Sequence, residues 1–133
     1  MSESGDQPKN LREVLGIEFI TSEPGLVTAR MEVTHAVCQH HGVLNGGASL
    51  AMAETLAGHG SLKLCQEDEI SMGIQVSGNH VRAAFLGSVV KGEARLVSKT
   101  RTIHVWNVDI TDEQGRLVST SRVTNCVIKK RTS

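Results

Sequence analysis

The middle of the chain is predicted to form one long helix that carries almost no charge. From Val33 to Leu62 the only formally charged residue is Glu54, and its sequence neighbours are mostly small or apolar. A solvated helix face is normally rich in lysine, glutamate and glutamine. This helix therefore needs cover from the rest of the fold, and we expect it at the centre of the structure with Glu54 shut away from water.

Strands are predicted on both sides of this helix. In the second of them apolar and polar residues alternate, which is typical of a half-buried strand. A sheet of this length buries its apolar face by curling around the single helix, so the sequence predicts an α+β fold. The predicted strands are 17–21, 26–34, 71–85, 88–98, 102–111 and 116–129, with turns at 22–25 and 112–115, a short helical turn at 11–15 and the long helix at 45–65.

The length of 133 residues fits one domain. Residues 1–10 are polar and contain no apolar stretch, so they are predicted to be a flexible N-terminus without a secretory signal, followed by a single domain over 11–133. One helix leaves its other face and the sheet edges uncovered. We therefore expect a homodimer at least, and a homotetramer built from two such dimers.

Composition excludes several classes of function. Fourteen basic residues balance fourteen acidic ones, so no net field attracts nucleic acid or an acidic membrane. Two phenylalanines and one tryptophan are too few for a base-stacking surface, and no apolar run is long enough to span a membrane. Three cysteines without a CxxC pair fit reduced thiols. We expect a cytoplasmic protein with neither a nucleic-acid nor a membrane partner.

The start of the long helix and Glu54 together outline a hydrolytic site. Burial makes a carboxylate a better base or nucleophile, and the N–H groups of Gly46 and Gly47 at a helix N-terminus could hold an oxyanion. The alternatives are a surface glutamate and a glycine turn with a purely structural role. About 12 Å of helix separates Gly46 from Glu54. Gly46 and Glu54 can act on one carbonyl group only if two antiparallel copies in a symmetric dimer form composite sites, each with Gly46 from one chain and Glu54 from the other.

Other reactive side chains lie in the loop before the helix. His35, His40 and His41 could be imagined as a metal cluster, and Cys38 as a nucleophile. Their spacing matches no structural zinc site, and a cysteine outside any motif is usually inert, so we expect no metal. His59 and His104 are expected to be packing or surface residues.

The segment GVLNGGASLAMAE, from Gly42 to Glu54, resembles the signature of the hot-dog-fold acyl-CoA thioesterases. The likeness is to the branch of phenylacetate-type and 4-hydroxybenzoyl-CoA-type enzymes. It extends over about residues 15 to 130 and includes the turn 112–116. The resemblance implies a hot-dog fold, in which an antiparallel sheet wraps around one long central helix.

The resemblance also implies roles for individual residues. Glu54 would be the catalytic carboxylate, acting as nucleophile or as general base, and Gly46 or Gly47 would donate the N–H that polarises the thioester carbonyl. Gln39 matches a glutamine that helps to hold the thioester. His80 falls where related enzymes place a histidine near the acyl pocket or the CoA arm.

Two positions depart from the family pattern. Asn45 stands where many relatives carry a histidine, so any hydrogen bond to the carbonyl from this position would come from an amide or be lost. Gly58 stands where relatives often have a serine or threonine that orients water. Ser61 and His59 are the candidates to replace that hydroxyl group.

The implied substrate is an acyl-CoA or acyl-carrier-protein thioester, hydrolysed to a free acid and a thiol, with no metal or cofactor besides the CoA of the substrate. CoA phosphates need charged partners, and Arg82, Lys99 and Arg101 are the candidates, the last two from a basic, hydroxyl-rich turn. The alternatives are a non-catalytic acyl-CoA-binding module and an acyl-thioester dehydratase or hydratase.

Overall fold

A six-stranded antiparallel sheet wraps around one long helix in the computed structural model, which describes residues 9–131. This confirms the predicted α+β arrangement. The elements are α1 (Leu11–Leu15), β1 (Ile17–Glu23), β2 (Leu26–Glu32), a short 3₁₀ helix (His35–Val37), α2 (Gly46–Leu64), β3 (Glu69–His80), β4 (Val89–Lys99), β5 (Ile103–Thr111) and β6 (Leu117–Lys129). Of the predicted flexible N-terminus, residues 1–8 lie outside the described residues.

The strands lie in the order β1-β2-β4-β5-β6-β3, and each neighbouring pair is antiparallel. The sheet therefore has two edges, β1 and β3. Among the described residues the edge strand β3 pairs with β6 alone, and a register shift between Gly73 and Gln75 marks a bulge in it. Bulges bend a strand and are frequent beside functional sites.

The buried face of α2 packs into the curve of the sheet. Met52 and Leu56 are fully buried, and Trp106 of β5 is the largest fully buried side chain. Glycines permit the close approach, because a Cβ atom at Gly60 would overlap the ring of Trp106. A Cβ atom at Gly92 would lie 2.9 Å from both Leu56 and Met52. Small residues at these contacts thus bring helix and sheet together.

The third predicted strand is too long. β3 begins at Glu69 and ends at His80, whereas residues 81–85 leave the sheet and cover the segment that enters α2. There the N–H of Leu44 donates to the carbonyl of Ala84 at 2.8 Å. The predicted turn at 112–115 is confirmed, with Gly115 at φ 80°. No helix in the part of the chain that the structure describes is long and apolar enough to cross a membrane.

Candidate active site

The N-terminus of α2 carries one backbone donor that is not used within the fold. Asn45 caps the helix: its Oδ1 accepts a hydrogen bond from the N–H of Gly47 at 2.7 Å. The N–H of Gly46 donates to no group within the described residues. Of the two glycines, Gly46 therefore offers its N–H to a bound group, at the positive end of the helix dipole.

His80, the last residue of β3, covers Gly46. A Cβ atom at Gly46 would lie 2.7 Å from Cδ2 and 2.8 Å from Nε2 of the imidazole. The other ring nitrogen, Nδ1, lies 3.0 Å from the hydroxyl oxygen of Ser119, a fully buried residue of β6. Ser119 thereby holds the ring in place, so the His80 side chain is fixed beside the free N–H of Gly46.

Glu54 is exposed in the single chain, so the prediction that it is shut away from water is wrong for one subunit. The reason lies in the sheet. Glu54 points from α2 towards β3, and within residues 9–131 no strand pairs with the far side of β3. Its carboxylate oxygen Oε2 lies 3.3 Å from the position that a Cβ atom of Gly73 would occupy.

One row of residues on α2 faces β3 and forms a groove with it. Leu50 lies between Gly46 and Glu54 on this row, and its Cδ2 would lie 3.0 Å from a Cβ atom at Gly78. Successive contacts thus run antiparallel along helix and strand. We call this the α2–β3 groove; its residues are Gly46, Leu50 and Glu54 of the helix and Gly73, Gly78 and His80 of the strand.

Gln39 lies in the loop that leads into α2. Its side-chain oxygen accepts a hydrogen bond from the N–H of His41 at 2.6 Å, and its carbonyl accepts one from the N–H of Gly42 at 3.0 Å. Gly42 adopts φ 79°, which closes this tight turn. The side chain of Gln39 is half-buried and is anchored to the turn.

Ser61 does not reach the groove, so its predicted role in binding substrate or water is not met. It is fully buried, and its Oγ accepts hydrogen bonds from Nε1 of Trp106 at 2.8 Å and Nδ2 of Asn125 at 3.0 Å. Both partners can only donate, so the hydroxyl hydrogen goes to Nδ1 of His104 at 2.7 Å. His104 is therefore neutral, and burial lowers its pKa, with Lys99 nearby adding to the effect.

His59 lies on the other side of α2, against β1. Its ring stacks on Phe19 with centroids 4.1 Å apart, and its Nε2 lies 2.9 Å from the hydroxyl oxygen of Ser22. Burial, followed by the charges of Lys63 and Arg12, lowers its pKa. It packs against the opposite edge of the sheet from Glu54, so it does not supply the hydroxyl group that is missing at Gly58.

The predicted CoA-binding residues fall at two ends of the molecule. Arg82 follows β3 at the N-terminal end of α2, beside a cavity of about 310 Å³ that Phe85 and Arg116 also line. Lys99 and Arg101 lie at the β4–β5 turn, near the C-terminal end of the helix. About 27 Å of helix separates the two ends, so a single chain does not bring these basic residues together.

The loop histidines do not form a recognisable metal site. The rings of His40 and His41 lie 4.1 Å apart. No three histidine, cysteine, aspartate or glutamate side chains in the range 9–131 are grouped to hold a metal ion. Cys38 is a half-buried free thiol.

Comparison with known proteins places this geometry in a family. The model of a family described as "Thioesterase superfamily" matches residues 41–119, more than half of the chain. The chain belongs to the thioesterase superfamily. The matched range includes all six residues of the α2–β3 groove.

Similar thioesterases are known from several bacteria. A 1,4-dihydroxy-2-naphthoyl-CoA hydrolase from Listeria monocytogenes is 37% identical over 121 residues, with 91% of this chain and 98% of the relative covered. The proofreading thioesterase EntH of Cronobacter turicensis is 36% identical, with 89% and 85% covered. These relatives confirm that the protein is a thioesterase.

Solved thioesterase structures confirm the hot-dog fold. A Haemophilus influenzae thioesterase superposes with a TM-score of 0.84 at 34% identity, covering 89% of this chain and 82% of that one. Two alanine variants of a Staphylococcus aureus thioesterase are each 30% identical to this chain. The first has a TM-score of 0.87 and covers 90% of this chain and 99% of its own; the second has a TM-score of 0.85 and covers 88% and 97%. A Streptococcus pneumoniae thioesterase with coenzyme A has a TM-score of 0.79 at 25% identity, covering 87% and 88%.

Sequence reasoning did not single out Gly73, Ser119 or Asn125. All three lie on the inner face of β3 or β6, where the register pairs Gly73 with Asn125 and His80 with Ser119. The sequence contains only a weak signal for these three residues. Small or polar residues occur at inward positions that an ordinary sheet fills with large apolar side chains.

Proposed function

We propose that this thioesterase hydrolyses acyl-CoA thioesters at composite sites in a homodimer. In each site Glu54 of one subunit acts on a carbonyl group held by the Gly46 N–H of the other. The observation that carries the proposal is the exposure of Glu54 beside an open sheet edge, together with the distance of about 12 Å along the helix to the free N–H of Gly46. A second subunit on that edge would supply the missing half.

The edge strand β3 supports a dimer of this geometry. It is 12 residues long, and Met72 and Ile74 are 52% and 59% exposed. A long apolar edge is a template for pairing with another chain and is seldom left open. Pairing β3 with its symmetry copy would continue the sheet, set the two α2 helices antiparallel and cover both Glu54 side chains. We extend the proposal to a tetramer of two such dimers.

The proposed chemistry uses groups that the groove holds in place. The Gly46 N–H and the helix dipole stabilise the negative charge that develops on the carbonyl oxygen. Glu54 either attacks the carbonyl carbon, forming an anhydride as the thiolate leaves, or removes a proton from an attacking water. Asn45 holds the Gly47 N–H, which leaves Gly46 as the donor, and Gln39 positions the thioester. No metal or separate cofactor takes part.

The relatives support Glu54 and Gln39 as site residues. The two S. aureus variants replace a glutamate and a glutamine by alanine. Those two positions are separated along that chain by the same number of residues as Gln39 and Glu54 here. The L. monocytogenes relative is named for an aromatic acyl-CoA, and the S. pneumoniae relative was solved with coenzyme A. Both favour a CoA thioester over a carrier-protein thioester as the substrate.

The dimer would also bring the basic residues nearer to one another. In an antiparallel pair, the C-terminal end of one α2 extends past the N-terminal end of the other. Lys99 and Arg101 of one subunit then approach the side of the groove on which Arg82 and His80 of the other subunit lie. Charge-assisted contacts to the CoA phosphates are the role we propose for these three basic residues.

The test is thiol release from a panel of aliphatic and hydroxyaryl acyl-CoAs and one acyl-carrier protein, with wild type, Glu54→Gln and Glu67→Gln. Glu67 is an exposed residue of the connector between α2 and β3 and serves as the matched control. We expect Glu54→Gln to lose at least about 100-fold in kcat while CoA binding is kept, and Glu67→Gln to match wild type. Undiminished turnover by Glu54→Gln would overturn the proposal.

A further inference from the structure

We propose that Asn125 is a positioning residue for hydrolysis, whose side-chain oxygen, together with Glu54, holds the attacking water above Gly73. The inference rests on the proposed function of Glu54 and adds a partner for the water. Asn125 belongs to β6, is 1% exposed, and lies directly opposite Gly73 in the register of β3 with β6.

Two side-chain oxygens converge above Gly73. Measured from the point that a Cβ atom of residue 73 would occupy, Oε2 of Glu54 lies at 3.3 Å and Oδ1 of Asn125 at 3.5 Å. The absence of a side chain at Gly73 therefore leaves a space flanked by a carboxylate oxygen and an amide oxygen. A bulge follows immediately in β3, between Gly73 and Gln75.

The orientation of the Asn125 amide is fixed by its other contacts. Its Nδ2 donates to the carbonyl oxygen of Ala57 at 3.2 Å and to Oγ of Ser61 at 3.0 Å. A backbone carbonyl can only accept, so the amide cannot be turned over. Oδ1 must face Gly73 and the groove, and it accepts no hydrogen bond from any group in the described part of the chain.

The groups behind Asn125 keep it in this position. Ser61 also binds Trp106 and His104, and all four side chains are buried. Buried polar groups that satisfy one another in this way are held rigidly. The oxygen of Asn125 thus lies at the outer end of a network that begins in the core, and Glu54 lies across the groove from it.

Two acceptor oxygens suit a hydrolytic water, which has two hydrogens to donate. A water that donates one hydrogen to each oxygen keeps its lone pairs free to attack a carbonyl carbon. The new C–O bond forms, one proton passes to Glu54, and the C–S bond breaks with the thiolate as leaving group. If Glu54 instead forms an anhydride, the same water attacks it and the acyl–Glu54 bond breaks.

The residues that follow Glu54 along α2 do not provide a second group to hold the water. Gly58 follows Glu54 by one turn of α2, and a Cβ atom there would meet nothing within 4 Å. Ser61, the next hydroxyl group along the helix, is occupied in the core. Asn125 is the buried polar side chain that reaches the space above Gly73.

The sharpest test is Gly73→Ala, with Gly58→Ala as the matched control. Gly73 does not adopt a positive φ, so alanine fits its backbone, but the added methyl group would fill the space between the two oxygens. We expect kcat to fall roughly 10- to 100-fold with KM within about twofold of wild type, because a misplaced reactant loses that much. Gly58→Ala should keep wild-type kcat. Wild-type kcat in Gly73→Ala would overturn the inference.

Asn125→Ala provides a second test with a readout that packing alone does not move. With hydroxylamine as a competing acceptor, the ratio of acyl hydroxamate to free acid should rise several-fold in Asn125→Ala and in Gly73→Ala, since only the water loses its place. An unchanged ratio in both variants contradicts the inference. If Glu54→Gln stays fully active, the proposed function itself fails; if Glu54→Gln is inactive and both ratios are unchanged, this inference alone fails.

Discussion

The imidazole of His80 lies where a side chain at Gly46 would have to be. A Cβ atom at residue 46 would come within 2.8 Å of Nε2, and Ser119 holds the ring from the other side through Nδ1 at 3.0 Å. The last residue of an edge strand and the first residue of the central helix are thereby locked together. This contact explains why glycine is needed at position 46 independently of any backbone torsion.

Replacing Gly46 by alanine should displace His80 and the free N–H together. We expect Gly46→Ala to lower kcat/KM about 100-fold, the scale of losing one oxyanion donor. A Cβ atom at Gly47 would meet only Oδ1 of Asn45, at 3.1 Å, so Gly47→Ala should lower kcat/KM far less. If His80 and Gly46 act through one contact, the double variant Gly46→Ala/His80→Ala will lose much less kcat/KM than the product of the two single fold-losses. Full additivity would contradict the coupling.

Mixing two inactive variants tests whether the site is shared between subunits. In a heterodimer of Glu54→Gln with Gly46→Ala, one site carries both substitutions and the other carries neither. Random pairing makes half of the dimers hybrid, so co-expression should restore roughly a quarter of wild-type activity per subunit. The reference is a mixture of Glu54→Gln with Gly58→Ala, a variant that we expect to have wild-type activity. Activity no higher than the sum of the two inactive homodimers would show that each site lies within one chain.

A charge on the open edge should separate the subunits. Ile74 is 59% exposed on β3, and Ile74→Lys places a positive charge at the centre of the proposed pairing. We expect monomers by analytical ultracentrifugation and loss of thiol release, because each subunit then has half of each site. Val97→Lys changes another exposed apolar residue, on β4, and should leave the dimer and the activity intact. A monomeric, fully active Ile74→Lys enzyme would refute the composite site.

Local pattern was sufficient for most of the fold. The span of α2 and the turn at 112–115 follow from residues adjacent in sequence, and both agree with the structure. The end of β3 does not, because residues 81–85 contain no glycine, proline or other turn residue that would mark the end of a strand. Their place is decided by a contact that sequence does not show, between Ala84 and Leu44.

Two features of the site depend on contacts beyond the local sequence. The exposure of Glu54 follows from the position of β3 at the sheet edge, and in the proposed dimer the second subunit would cover it. The core network joins Ser61 of α2 to Trp106 of β5 and Asn125 of β6, which meet only because those strands are neighbours. Without the strand order, Ser61 is simply a hydroxyl group two helical turns after Glu54, the proposed catalytic residue.

Stability should fall as the pH drops below about 6.5, the usual pKa of histidine. Burial lowers the pKa of His104 and of His59 in the folded protein, so the unfolded chain binds more protons in that range. The stability from the neutral rings is fully present above the unfolded pKa and is lost as the pH falls from there through the lowered pKa of the folded state. Urea unfolding between pH 8 and 5 measures the slope of the unfolding free energy against pH. His104→Asn should flatten it, whereas the exposed-site variant His41→Asn should not; equal slopes in all three proteins would contradict the assignment.

Removing the hydroxyl group of Ser61 should weaken the fold before it affects chemistry. Ser61→Ala leaves the Trp106 N–H and one Asn125 N–H without an acceptor in the core. Each buried donor left unpaired costs about 1–3 kcal/mol of unfolding free energy, so we expect the two together to cost roughly 2–6 kcal/mol in urea unfolding. Ser98→Ala, at an exposed site on β4, is the control and should change stability by less than about 0.5 kcal/mol. Because Asn125 would lose one of its two anchors, the hydroxamate-to-acid ratio should also rise in Ser61→Ala below its unfolding transition. A variant as stable as Ser98→Ala would mean that the core hydroxyl contributes no net stability.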